Sequence, residues 1–263
     1  MDHFAKFLSW AQREGVNRLQ LTPVTGEAFL DPKLIEKLEF ATQRGFDCFL
    51  FTNGSRIHEV NLDRLLACRI DELSISLGGF DREAYRESFG VDMYETVLAN
   101  TESLLSKVSD RHREGYPVPK IILCVRSVRR LSDEIACPDY AIKLKRFVDA
   151  GLATIDYLNI YDSFDGWIVE LPGKMRVNSA LEMSWLKRTL PCWYLSVIGL
   201  SSNGDVRLCN CIMSESVHGS SELIIGTIHD DLRQILKNAE MKFQLWKSGR
   251  IPRSCLACRN YCI

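Results

Sequence analysis

Five short β-rich apolar runs recur between helical patterns over the first two thirds of the chain, and this alternation most restricts the fold. The runs are RLQLTP, CFLFTN, ELSISL, KIILCV and TIDYLNI. Between them, apolar residues at helical spacing mark the connections: Leu34, Ile35, Leu38 and Ala41, then Leu62, Leu65 and Leu66, then Val97, Leu98, Leu104 and Leu105, then Ile142, Leu144, Phe147 and Val148. Asp31-Pro32 and Pro138 suit helix starts, and Gly45 and Gly151 suit helix ends. A further helical pattern, Phe4, Phe7, Leu8 and Ala11, stops at Gly15. Strands separated by helices need crossover connections, which give a parallel sheet, either open or part of a barrel. The continuous apolar run CFLFTN predicts burial on both faces.

After about Asn178 the rhythm changes. WYLSVIGL and DVRLCN flank a turn with an Asn203-Gly204 pair, a hairpin signal. A helix carrying Leu232, Ile235, Leu236, Ala239, Phe243 and Trp246 follows, with Asp230 and Asp231 at its start and Gly249 and Pro252 beyond its end. The expected division is residues 1–180 and 181–263. The second part has little apolar mass for an independent domain, and a small unit of that kind is usually held together by a metal site.

Its cysteines supply candidates. The 263-residue chain has ten, and six of them (Cys192, Cys209, Cys211, Cys255, Cys258 and Cys262) lie in its last 72 residues. Cys48, Cys68, Cys124 and Cys137 are singles in apolar surroundings and read as small buried hydrophobes. A hairpin brings Cys192 and Cys209 to its two strand ends, and the Cys255-x2-Cys258 knuckle points two thiolates at one centre. Four sulfurs then close a tetrahedral set, which suits zinc and a cubane iron-sulfur cluster equally. A thioredoxin-like redox pair fits less well, because here the pair follows a helix instead of heading one.

The charge balance, 33 basic against 34 acidic residues, attracts neither nucleic acid nor a membrane surface. No apolar run approaches a membrane span, and MDHFAKFLSWAQREG lacks the basic and apolar blocks of a secretory signal. Many cysteines without such a signal point to metal or redox chemistry in the cytoplasm.

The run from Cys192 through Gly204, Cys209, IIGTI and DDLRQIL to Cys255-x2-Cys258 resembles the SPASM domain, the C-terminal extension of many radical S-adenosylmethionine (radical SAM) enzymes. TPVTGEAFLDPKLIEKLEFATQRGFDCFLFTNGS resembles the stretch in which Gly-Gly-Glu-Pro ends the second strand of that family's barrel and Thr-Asn-Gly the third. DELSISLGGFDREAYRESFG resembles the fourth strand and the loop after it. The resemblance implies a partial (β/α) barrel of which about five units are visible here, with its active site at the C-terminal strand ends. It implies reductive cleavage of S-adenosylmethionine to a radical that abstracts hydrogen from a substrate, which for the family is a peptide, a sugar or a small metabolite. It also implies an electron donor such as a flavodoxin or ferredoxin. In the tail it implies an auxiliary 4Fe-4S cluster on Cys192, Cys209, Cys255 and Cys258, with Cys211 and Cys262 in reserve.

By the same resemblance, Gly26 would approach the amino end of S-adenosylmethionine through its backbone and Glu27 would bind the ammonium. Asn53 and Ser76 would hydrogen-bond the nucleoside. Turn chemistry at the strand ends is the competing explanation for these four. No catalytic residue is assigned in NIYDSFDGWIVE, where Asp162, Asp165 and Trp167 would overlook the substrate opening. His3, His58, His112, His218 and His229 form no spacing pattern and are expected at the surface.

The departures are specific. Family members bind the catalytic cluster through Cys-x3-Cys-x2-Cys after the first strand. That motif is nowhere in this sequence, and the terminal Cys-x2-Cys-x3-Cys has the reverse spacing. Thr25 stands for the first Gly of Gly-Gly-Glu-Pro, Ala28 for its Pro, and Gly78 where an Asp is common. The expectation is a fragment of a radical SAM/SPASM enzyme, inactive by itself, or a shortened relative that has lost radical chemistry. The first is favoured because a missing first strand would expose the edge of RLQLTP. The reading from a different class is a non-catalytic iron-sulfur or zinc module for electron transfer or scaffolding.

Overall fold

The structure is a computed structural model and describes residues 1–23, 26–158, 160–161, 176–177, 189–209 and 221–256. The chain divides into two compact units, one built on residues 17–161 with 171–176, the other on residues 1–16, 162–170 and 177–263.

The first unit carries a five-stranded parallel sheet in the order β1 (Arg18–Gln20), β2 (Asp47–Thr52), β3 (Glu72–Leu77), β4 (Lys120–Arg126) and β5 (Ala153–Leu158). The expected α/β partial barrel with five visible strands is therefore what the chain forms. The crossovers hold α2 (Leu34–Thr42), α3 (Leu62–Ala67), α4 (Arg82–Phe89), α5 (Tyr94–Arg113), α6 (Leu131–Ile135), a π-helical turn at Tyr140–Leu144 and α7 (Lys145–Asp149). Strands laid down in sequence order with crossovers of one hand place every helix on the same face. Side chains alternate accordingly. Leu50, Leu73, Ile75, Leu123 and Val125 are fully buried under the helices. Phe49, Phe51, Ser76, Ile122 and Arg126, on the opposite face, are half-buried, and Thr154 and Asp156 are exposed.

That alternation corrects the expectation for CFLFTN. Only Cys48, Leu50 and Thr52 are fully buried, and the guanidinium of Arg18 lies 4.0 Å from the ring centre of Phe49. β1 is the sheet edge, as expected, but it is three residues long, with Arg18 and Gln20 exposed. Shortness and charge are the usual means of discouraging strand addition at an edge.

Helix α4 has no counterpart among the expected helices. It rests on local chemistry: Asp81 caps its start by accepting the Ala84 N–H at 2.8 Å, and Gly90 ends it with φ of 69°. Asp31 accepts the Lys33 N–H at 2.9 Å in the turn ahead of α2, but the helix begins at Leu34 with Lys33 in the cap position and no side-chain cap, so the start expected at Asp31-Pro32 is shifted onward. Two short strands, β6 (Ile160–Tyr161) and β7 (Arg176–Val177), pair with each other.

The second unit contains α1 (Asp2–Arg13), an antiparallel sheet of β8 (Ile198–Leu200), β9 (Asp205–Leu208) and β10 (Ile224–Thr227), then α8 (Leu232–Lys247) and α9 (Arg253–Leu256). The β8–β9 hairpin turns at the expected Asn-Gly pair. Asn203 Oδ1 accepts the Asp205 N–H at 3.1 Å, and Gly204 has φ of 94°. Trp10, Leu195, Leu208, Ile235 and Trp246 form the core, with Phe7 packed against it. The expected boundary grouped α1 with residues 1–180, whereas its apolar stripe packs in this unit. Periodicity shows that a helix has an apolar face but not what that face meets.

Candidate functional site

At the C-terminal ends of β1 and β2, the buried Glu27 holds two connections together. Its Oε1 accepts the Thr52 hydroxyl at 2.5 Å and the Phe29 N–H at 3.2 Å, and its Oε2 accepts the Asn53 N–H at 2.6 Å. Thr52 Oγ1 in turn accepts the Gly54 N–H at 3.0 Å. A carboxylate offers about four lone-pair positions, and the chain itself fills three. Glu27 therefore acts first as a clamp, and the ammonium role implied for it has one acceptor position left. Gly26 has φ of 98° with open space where a Cβ would stand, so both its backbone and its surroundings allow close approach.

Asn53 is exposed and closes a turn, its Oδ1 accepting the Ser55 N–H at 2.9 Å and the Ser55 hydroxyl at 2.6 Å. The next turn is tied down by the buried Asn100, which donates to the Gly54 carbonyl at 2.8 Å. Gly26, Glu27 and Asn53 thus come together. Ser76 stands one strand over, immediately after Ile75, which pairs with Thr52.

Beyond Ser76 the loop is closed by residues that sequence reasoning missed. Glu134 is fully buried, accepts the Phe80 N–H at 2.7 Å and takes the Ser127 hydroxyl. Ser88 Oγ lies 2.7 Å from the carbonyl oxygens of both Gly78 and Arg126, bridging the ends of β3 and β4. Gly78 and Gly79 make room for this. A Cβ on Gly78 would come within 2.9 Å of the Tyr85 backbone, and one on Gly79 within 2.4 Å of Ala84 Cβ and 3.0 Å of the Glu134 carboxylate. The place where the resembled family often has an Asp is here occupied by α4. Nothing in spacing or composition singles out Glu134.

In the second unit, Cys192, Cys209 and Cys255 are buried in the same apolar cluster, although 63 residues separate the first from the last. Cys209 follows β9 with φ of 59°, a left-handed conformation rare for a residue with a Cβ, and its N–H bonds the Val197 carbonyl at 3.0 Å. The Cys192 carbonyl accepts the Leu195 N–H at 3.0 Å, and the Cys255 N–H bonds the Pro252 carbonyl at 2.9 Å. Thiols buried in one apolar core supply the donor type of a thiolate-ligated metal centre. Among the described residues alone, no three His, Cys, Asp or Glu side chains close a metal site. Cys211, Cys258 and Cys262 lie outside the described residues, as do Thr25, Asp162, Asp165, Trp167 and His218.

The four single cysteines are buried, as expected. Burial, followed by the negative charge of Asp71, pushes the Cys48 thiol up to about 12. Burial and Glu39 push Cys68 to about 11, and burial and the hydrogen bond to Asp81 push Cys137 to about 11. These are inert thiols. His3, His58, His112 and His229 are exposed.

No family model matches the chain. An uncharacterized protein of Methanocaldococcus jannaschii, MJ0804, is 29% identical over 115 residues, which is 42% of this chain and 40% of that protein. Among solved structures, SuiB of Streptococcus suis bound to its precursor peptide SuiA matches 98% of this chain and 63% of its own, at 14% identity and a TM-score of 0.55. SuiB bound to S-adenosylmethionine matches at a TM-score of 0.51, this chain covering 62% of it. BtrN in complex with AdoMet and 2-DOIA matches 98% of this chain and 78% of its own, at 12% identity and a TM-score of 0.54. These neighbours are radical SAM enzymes, and the chain has their fold. It spans less than half the length of MJ0804 and under two thirds of SuiB. No helix among the described residues is long and apolar enough to cross a membrane.

Proposed function

We propose that this chain is a radical SAM/SPASM-type protein. It binds S-adenosylmethionine at the C-terminal ends of its parallel strands and holds an auxiliary 4Fe-4S cluster on Cys192, Cys209, Cys255 and Cys258. The observation that carries the reading is the burial of three sequence-distant cysteines within one apolar core, one of them kept at positive φ. A non-glycine residue in that conformation is maintained only where the surroundings impose it, and such residues concentrate at functional sites.

When bound, a cluster with four thiolate ligands supplies one-electron transfer and a cross-link between distant segments. The chain's own residues do the rest. Cys209 directly follows β9, whereas Cys192 stands six residues ahead of β8 at the start of a 3-10 turn (Trp193–Ser196) and not at the strand end expected for it, and α9 carries Cys255 after the turn at Pro252. Leu195, Leu208 and Trp246 exclude water from the thiols. At the strand ends, Glu27 fixes the loop carrying Gly26 against Thr52 and the Asn53 N–H, so that the backbone near Gly26 and the Asn53 side chain are held at a set spacing for a ligand. An electron donor such as a flavodoxin or ferredoxin and a peptide, sugar or small-metabolite substrate complete the proposal. The sequence has no Cys-x3-Cys-x2-Cys, so radical formation is not among the roles assigned to this chain on its own.

The test is anaerobic reconstitution of the full chain with iron and sulfide, followed by metal analysis and an optical spectrum. About four irons and four sulfides per chain, lost in Cys192→Ala and Cys255→Ala, support the auxiliary site. One tightly held zinc and no visible absorption overturn the iron assignment. Calorimetric titration with S-adenosylmethionine tests the other half, and absence of binding removes it.

A further inference from the structure

The face of the parallel sheet opposite the crossover helices carries a row of polar groups, of which only Ser76 was given a role above, as the hydrogen-bonding partner of a nucleoside implied by the family resemblance. Ser76 on β3, Cys124 on β4 and Asp156 on β5 are direct register partners, so their side chains stand side by side on that face. Ser74 and Thr154 lie one row below, and Arg126 one row above. The groups face one another: the Cys124 thiol, raised by burial, is also acted on by Arg126, Asp156 and Glu72, and Ser74 hydrogen-bonds to it. Cys124 is 3% exposed, whereas Asp156 is exposed and Ser76 half-exposed. Asp156 has no hydrogen bond or ion pair among the described residues, and the Ser76 hydroxyl has no hydrogen bond among them. In open and barrel-like parallel sheets, the C-terminal half is where ligands are held.

We propose that Asp156 and Ser76, with Cys124 between them as an apolar floor, bind a substrate bearing a protonated primary amine and a second polar group. The carboxylate is acceptor-only, so its strongest partner is a cation. The hydroxyl donates or accepts and so takes a neutral group, such as an alcohol or a carbonyl. Two strand spacings separate the two residues, roughly 10 Å between backbones, and side chains reaching inward leave room for a ligand whose polar ends are several ångströms apart. The site requires neither the tail cysteines nor Glu27.

The probe is 5-aminopentan-1-ol, titrated into the isotopically labelled full chain and followed by amide chemical shifts, with 1,5-pentanediol as the uncharged control. The expected result is a saturable shift of the Ser76, Cys124 and Asp156 amides by the amino alcohol, at least about tenfold weaker with the diol or in Asp156→Asn, and a few-fold weaker in Ser76→Ala. Asp156→Asn should keep the amide dispersion of the parent, so that a lost response reports binding and not unfolding. Equal response to the diol, an unchanged response in Asp156→Asn, or shifts confined to other residues would overturn the assignment. The titration is repeated with saturating S-adenosylmethionine. Additive responses support a separate substrate site, whereas displacement of the amino alcohol means that the row holds the amino end of S-adenosylmethionine and sinks the proposal. If S-adenosylmethionine shifts no amide at all, the cofactor reading fails while the row stands on its own titration.

Discussion

Replacing Glu27 with Gln separates the two roles that this carboxylate has been given. In the structure it accepts from Thr52 Oγ1, Asn53 N and Phe29 N, all inside a site where Glu27 is 7% exposed. Gln has nearly the same shape but only one acceptor oxygen. Whichever way its amide is turned, an NH2 must face at least one of those donors. A buried donor left without an acceptor costs about 1–3 kcal/mol, and the Thr52 hydroxyl can relieve part of this by rotating. The Asn53 N–H cannot rotate away, so the expected cost is about 2 kcal/mol, localised at the β1–β2 ends. The assay is native-state hydrogen exchange. Protection of the Asn53 and Gly54 amides should fall by roughly 10- to 100-fold, since each 1.4 kcal/mol is a factor of ten, while β4 amides such as Leu123 change little. S-adenosylmethionine affinity, measured in parallel, should fall by no more than local loosening explains. If Glu27→Gln leaves Asn53 protection unchanged and abolishes S-adenosylmethionine binding, the clamp is wrong and the carboxylate serves the ligand directly.

Three other perturbations test the remaining features. Gly79→Ala meets Ala84 Cβ at 2.4 Å at φ of 147° and should cost about 2–5 kcal/mol in urea unfolding, whereas Gly151→Ala, at φ of 71° with nothing within 4 Å, should cost about 1–2 kcal/mol. At Asp81, burial raises the carboxyl, but the Ala84 N–H and the Arg129 guanidinium outweigh it and hold the group below its ordinary value. Its stabilisation is therefore present above about pH 4, the unfolded value, and is lost as the pH falls through the lower folded value, so the stability gap between parent and Asp81→Asn should close on acidification in pH-dependent unfolding. With thiols at about 12, 11 and 11, Cys48, Cys68 and Cys137 are ionised at pH 8 to about one part in a thousand or less, and iodoacetamide mapping by mass spectrometry should leave them unmodified in the folded chain.

What could be read in advance follows from where the forces act. The five parallel strands were legible because each is an apolar run bounded by turn residues, and the hairpin because Asn203-Gly204 sets its own conformation. Helix α4 was not: Arg82–Phe89 has too few apolar residues for a stripe, and its signals are the Asp81 cap and the terminal Gly90, which lie outside any periodicity. At the site, Gly26, Glu27 and Asn53 were found through a motif resemblance, but the motif could not say that the carboxylate is spent on Thr52 and Asn53, because that depends on how the loop after β1 meets the end of β2, 25 residues along the chain. Glu134 and Asp156 were invisible for the same reason. A buried carboxylate between two loops and an exposed one in a cross-strand row are defined by pairing, and no stretch of sequence contains both partners. The tail is the opposite case. There the chemistry is carried by residue type, so the cysteines identified themselves, and folding added only that Cys192, Cys209 and Cys255 share one apolar cluster. Trp10 belongs to the same cluster. Its side chain is 5% exposed against the core that holds the thiols, so Trp10→Ala should cost about 3–5 kcal/mol and loosen the cysteine-bearing unit, which a residue grouped by sequence with the barrel would not do.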